Sequence, residues 1–246
     1  MQFYSSNYAS RDMLFDRDFA HINDVLGDAG DVQALPATLP RDLKRELEAA
    51  APAYRQSCWP NHRRLNEAWI HLLEPLLATH GQEIARRLTT VFNTAWPAQP
   101  IAVDVVTYAD WAGAYTISSP PHTTVGSVGD DKGDAQLEII FHEALHTMDE
   151  GMDRDLSTAF AKYHSEMPQG FAHVLIFFTA GFVTQEQLHA TDPNFQPYAY
   201  KHGMYKRIPY WDQDEMALRK YWQSYLEGKE QRQAALDHLV HAICCS

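Results

Sequence analysis

The residues best equipped for chemistry are two histidines four positions apart with a glutamate after the first, His142-Glu143-Ala144-Leu145-His146. On a helix, positions four apart lie one above the other, so both imidazoles can aim at one ion while Glu143 reaches a water beside it. Zinc suits such ligands. It takes nitrogen donors tetrahedrally at about 2.0–2.1 Å, and a catalytic site keeps one position for water, so a third protein ligand must come from elsewhere in the chain. One Zn2+ per chain is the expectation.

Two residues compete for the third place. Glu166 follows His146 by twenty residues, but Pro168 puts it in the turn before the next helix. His173 stands in the strongly apolar run Phe171-Ala172-His173-Val174-Leu175-Ile176-Phe177-Phe178-Thr179-Ala180-Gly181. An imidazole in such surroundings needs a partner to offset its desolvation, and a metal ion provides one, which favours His173. Acyl transfer at a metal also calls for a donor to the developing oxyanion. Tyr198, Tyr200, His202 and Tyr205 are candidates, with Tyr200 taken as the catalytic one. Asp149, Glu150, Asp153 and Asp155 read as a solvated acidic turn, and Asp149 as a charge at a helix end rather than a partner that orients His146.

The segment Leu137-Glu138-Ile139-Ile140-Phe141-His142-Glu143-Ala144-Leu145-His146 resembles the active-site helix of the zincin metallopeptidases. That similarity implies metal ligation by both histidines and general-base action by Glu143, and it covers mainly residues 101–180. The metzincin pattern fails, because its third histidine would fall on Met152. A gluzincin-like layout places the third ligand on a following helix; the position of Glu166 is similar to that in thermolysin-type enzymes. The run from His173 through Phe, Thr, Ala and Gly is similar to a bacterial zincin-like group with a histidine on that helix. In zincins a strand ahead of the active-site helix pairs with extended peptide, so Gly113 to Ser119 is expected to offer an edge for β-augmentation.

Elements able to position these residues can be read on both sides of the motif. Pro40-Arg41-Asp42 opens an amphipathic run through Ala50, and a helix over Arg63–Thr79 places Leu65, Trp69, Leu72, Leu73 and Leu76 on one stripe. After Gly81, the positions Ile84, Leu88, Val91 and Phe92 repeat at helical spacing until Trp96-Pro97. From Pro100 the pattern turns β-rich: Ile101, Val103 and Val105 alternate with their neighbours, Gly113–Ser119 is a second extended run, and His122–Ser127 is a third. The turn Gly129–Gly133 leads into a helix over about Asp134–Glu150. Further helices are predicted over Arg154–His164, from Phe171 to at least Phe178, over Asp212–Leu226 and over Lys229–Cys244, with Tyr198–Tyr210 an aromatic connection.

The expected fold class is α+β, mainly helical and zincin-like, with a small mixed sheet. A single domain over 1–246 is expected, in three parts: a helical 1–99, a sheet and metal-site helices over 100–181, and a helical 182–246. With 45% hydrophobic residues the chain can bury a core. Its formal net charge of −12, from 20 basic and 32 acidic residues, disfavours nucleic acid and anionic lipid as partners. Cys58, Cys244 and Cys245 form neither a disulfide framework nor a C-x-x-C site. The first ten residues lack a basic stretch followed by an apolar one, and no segment is long and apolar enough to insert in a membrane. The expectation is a soluble protein, cytoplasmic, or periplasmic or secreted where a leader has been removed. The expected function is zinc-dependent hydrolysis of a peptide, with hydrolysis of a small amide or a catalytically silent zincin scaffold as alternatives.

Overall fold

A computed structural model describes residues 2–11, 16–29, 35–110, 112–118, 121–129 and 131–245. Ser119, the predicted end of the second strand, and Asp130 of the predicted turn lie outside the described residues. The chain forms two compact units, one of residues 1–71 with 102–129, the other of residues 72–101 with 130–246. It is mainly helical, with one small mixed sheet. Among the described residues no helix is long and apolar enough to cross a membrane.

The first unit holds the sheet. β1 (Ala102–Val106), β2 (Ala114–Ser118) and β3 (Pro121–Gly126) lie in the order β1-β3-β2, with β1 parallel and β2 antiparallel to β3. The strand nearest in sequence to the metal motif is therefore the central one, β3, whose His122 to Val125 are buried, and β2 is an edge. β1 does not alternate as its pattern predicts: Ala102 to Asp104 are all exposed, because an edge strand of so small a sheet has little to pack against. The same unit holds α1 (Gln2–Asn7), α2 (Arg17–Asp28), α3 (Arg41–Ser57) and the start of α4 (Trp59–Leu76). Side-chain amides pin two of them: Asn23 of α2 donates to the Tyr115 hydroxyl at 2.6 Å, and Asn66 of α4 donates to the Val105 carbonyl at 2.7 Å.

The second unit is helical throughout. α4 continues through a π turn, Leu77–Gly81, into α5 (Gln82–Phe92), so Gly81 does not break the helix as the sequence pattern suggests. The end comes at Asn93, in the left-handed conformation with φ of 51°, ahead of the predicted stop at Trp96-Pro97. Its amide, and that of Thr94, bond back to the Thr90 and Thr89 carbonyls that the helix leaves unpaired. α6 (Asp134–Leu145), α7 (Glu150–Lys162) and α8 (Phe171–Leu188) follow. α8 is apolar on nearly every side because it is the core of this unit, packing against α5, α6 and α7.

Beyond α8, the aromatic connection contains two short helices, α9 (Tyr198–Lys201) and α10 (Met204–Arg207). α11 (Trp211–Ala217) runs through a second π turn, Leu218–Trp222, into α12 (Gln223–Leu226), and α13 (Arg232–Cys244) ends the unit. Trp222 is fully buried and donates its indole N–H to the Thr179 hydroxyl at 2.9 Å. At the start of α13, Arg232 bonds the Val91 carbonyl at 2.9 Å and the Asp155 carboxylate at 2.7 Å, so one guanidinium ties α5 and α7 together.

Candidate metal centre

α6 starts where the Gln136 side chain turns back to accept the Gly133 amide at 3.0 Å, which satisfies a donor that the first helical turn leaves open. Ala135 to Glu138 and Ile140 to Leu145 are buried, so the helix that carries His142 and Glu143 is a core element. It is shorter than its apolar pattern predicts. The amides of His146, Thr147 and Met148 bond to carbonyls three residues back, and this tightened turn ends the helix at Leu145. His146 is thus the first residue past the helix and still turns its ring toward His142, with centroids 5.0 Å apart.

Gly170, at φ 84°, caps the start of α8 and places His173 in its first turn. His142 Nε2 then lies 3.3 Å from His146 Nε2 and 3.2 Å from His173 Nε2. Zinc–nitrogen bonds of about 2.0–2.1 Å at the tetrahedral angle give an N···N edge of about 3.3–3.4 Å. The observed separations match that edge. These three residues therefore form a group that can hold a metal ion. Three imidazoles suit zinc and the other borderline divalent ions alike.

Protonation states agree with ligation. Burial, with His146 and His173 close by, holds His142 well below the ordinary imidazole range. His173 falls to about 4, chiefly through desolvation and then through His146. Its surface is nonetheless the most open of the three, His142 being buried and His146 half-buried. The packed protein around the ring and its outward surface thus differ. The convergence of ring nitrogens, and not burial among apolar side chains as its sequence context suggests, is what recommends His173. Glu166 is exposed in the irregular segment before α8 and does not join the group.

The surroundings of the three rings come from α6, α8 and the aromatic connection. Phe177, one turn beyond His173, lies 3.9 Å from the His142 ring and 4.8 Å from the His173 ring, centroid to centroid. Tyr198 stacks on Phe177 at 6.2 Å, and Trp211 meets His173 edge-on at 6.0 Å. Asp149, taken from the sequence as a bare helix-end charge, brings Oδ2 to 3.5 Å from His146 Nδ1, where it can orient the ring. His142 Nδ1 is buried and has no hydrogen-bond partner among the described residues.

Glu143 is buried next to His142 and contributes to raising the Tyr198 phenol, behind burial and the carboxylates Asp131 and Glu138. Glu138, one turn before His142, escaped the sequence reading as a site residue. It is buried, accepts the Tyr198 amide at 2.8 Å, and burial pushes its carboxyl up to about 8, so it is largely a neutral acid near pH 7. A charged residue type inside the apolar run Leu137–Leu145 was the available signal.

The other donor candidates are placed differently. Tyr200 donates to Glu215 at 2.5 Å and accepts from Arg219 at 3.1 Å; burial and then Glu215 raise its phenol. His202 shares Asp131 Oδ1 with Lys201, at 3.0 and 2.8 Å, and its ring lies 4.3 Å from Tyr198. Tyr205 is buried against Tyr200 and Trp211. Tyr198 alone of the four stacks on the phenylalanine that touches the histidine rings.

No protein-family model matches the chain, and neither a curated protein nor a solved structure is similar enough to match it. What is known of the centre therefore rests on its own geometry.

Proposed function

We propose that the protein is a zinc-dependent hydrolase of the zincin type that cleaves peptide bonds. The observation that carries this reading is the convergence of three imidazole nitrogens within 4.8 Å of one another, two of their separations matching a tetrahedral edge, with Glu143 buried next to the first of them. His142, His146 and His173 would hold the ion and leave one position open, the pattern of a catalytic rather than a structural site. When bound, zinc supplies Lewis acidity toward a carbonyl and acidifies a water molecule. Glu143 would take a proton from the attacking water and deliver it to the leaving nitrogen. Tyr198, whose ring stacks on Phe177 beside the histidines, would be the donor to the oxyanion, since Tyr200 already bonds Glu215 and Arg219. Asp149 holds His146 in the tautomer that offers Nε2 to the ion.

The test is metal content per chain on purified protein, with three variants. One equivalent of zinc is expected, lost in His146→Ala and in His173→Ala. Glu143→Ala should keep the zinc and lose about 10²–10⁴-fold in hydrolysis of a peptide pool, the usual worth of a general base. Failure to bind zinc after its addition would overturn the reading.

A further inference from the structure

A groove of about 860 Å3 lies in the helical unit, between the turn before α8, the start of α11 and the end of α13. Trp211 lines it and also meets the His173 ring edge-on at 6.0 Å, so the groove and the metal centre share a wall. Asp214 lies in the same lining. It is only 9% exposed, and among the described residues no donor or cation meets its carboxylate. A carboxylate that is little reached by water and holds no protein partner is a site in want of a cation.

The remaining walls fit one end of such a ligand. Tyr210 and Met216 are 75% and 68% exposed and give the groove apolar surface on which an aliphatic stem can lie. Tyr210, which lines the groove, stands at φ 71°, a left-handed conformation uncommon for tyrosine. Lys220 Nζ sits over the Tyr221 ring at 4.9 Å, so this aromatic lining already receives one ammonium group. An anionic ligand would be repelled by Asp214, and an uncharged one would leave its charge uncompensated. The net charge of −12 draws cations toward the surface generally.

We propose that this groove is a specificity site that takes the side chain of an arginine or lysine of the substrate, its stem on Tyr210 and Met216 and its cation on Asp214. The assignment of that cation to a peptide rests on the hydrolase reading; the cation site itself does not. Burial, followed by Asp212, raises the Asp214 carboxyl to about 6, which leaves it ionised at the pH of the test below.

The test is an NMR titration at pH 7.5 of the full chain with N-acetyl-arginine methylamide and with its uncharged citrulline counterpart. The arginine compound should bind at least tenfold more tightly, and Asp214→Asn, checked for unchanged melting and zinc content, should bring the two within about twofold. Equal affinities in the unaltered protein, or an arginine preference that survives in folded Asp214→Asn, would overturn the proposal. The comparison in the unaltered protein needs no variant to fold. An arginine preference in a chain that neither holds zinc nor hydrolyses peptide would sink the hydrolase reading and leave the cation site standing. Zinc-dependent hydrolysis without the preference would do the reverse.

Discussion

Gly181 sits in α8 where the helix passes the Pro197–Tyr198 segment, and replacing it by alanine tests how tightly the surroundings of the histidine cluster are built. In open space the change would stabilise a helix interior by up to about 1 kcal/mol. Here the added methyl carbon would lie 2.6 Å from Pro197 Cβ and 3.1 Å from Glu138 Oε1. Carbon atoms rest at about 3.5–4.0 Å, so the overlap with Pro197 is about 1 Å. A proline ring has no rotamer through which to escape, and relief must come from moving the backbone at 197–198. That same backbone donates the Tyr198 amide to Glu138 at 2.8 Å. Overpacking of this kind costs about 1–3 kcal/mol, and a weakened hydrogen bond adds about 1 kcal/mol. Set against the helix gain, a net loss of about 1–3 kcal/mol remains, which in a chain of this size lowers Tm by about 2–12 °C. Thermal melting of Gly181→Ala is the assay. Zinc stoichiometry should survive, because the ligands are on other turns, whereas peptide hydrolysis should fall as Tyr198 shifts on Phe177. An unchanged or higher Tm would refute the close approach of α8 to Pro197.

Three further outcomes follow from the same geometry. Glu138 has a folded-state pKa of about 8 against an ordinary 4.5, so the folded chain holds the extra proton between these values; its contribution to stability is complete below about pH 4.5 and is lost as pH rises through about 8. Urea melts from pH 5 to 9 should show that decline, and Glu138→Gln, which keeps an acceptor for Tyr198, should flatten it. Zinc at a free concentration about 100 times its Kd should add about 2.7 kcal/mol, or about 5–11 °C in Tm, reversed by a chelator and absent in His173→Ala. Asp149→Asn should weaken zinc binding about 10–100-fold by competition titration without removing it, as loss of a residue that orients a ligand does.

How much of this was legible depends on whether a residue's partners lie on its own helix. His142, Glu143 and His146 announce themselves because four-residue spacing is a local property of the chain, and the structure brings both rings together although the helix ends before His146. The helix–strand order was readable for the same reason: a period of 3.6 marks α5, and short apolar runs bounded by turn residues mark β2 and α8. The two π turns were not, since no residue type marks a wider turn, and both lie inside runs that continue as α-helix. Nor does periodicity reveal α9 and α10, each barely one turn long.

His173 is the instructive case. Its apolar sequence context picked it out over Glu166, yet it is the most open of the three histidines. The apolar run belongs to the core faces of α8, while His173 stands in the first turn, where Gly170 sets the entry of the chain and the ring meets α6. Helical spacing held better information. Counting four residues onward from His173 reaches Phe177, which packs on the His142 and His173 rings and stacks on Tyr198, and four back from His142 reaches Glu138, which accepts the Tyr198 amide. A histidine cluster carried on two packed helices draws support from residues one turn away, because they share the face and the depth of the rings. The spacing rule that found the first two histidines therefore also locates their supports, once His173 has fixed which faces meet.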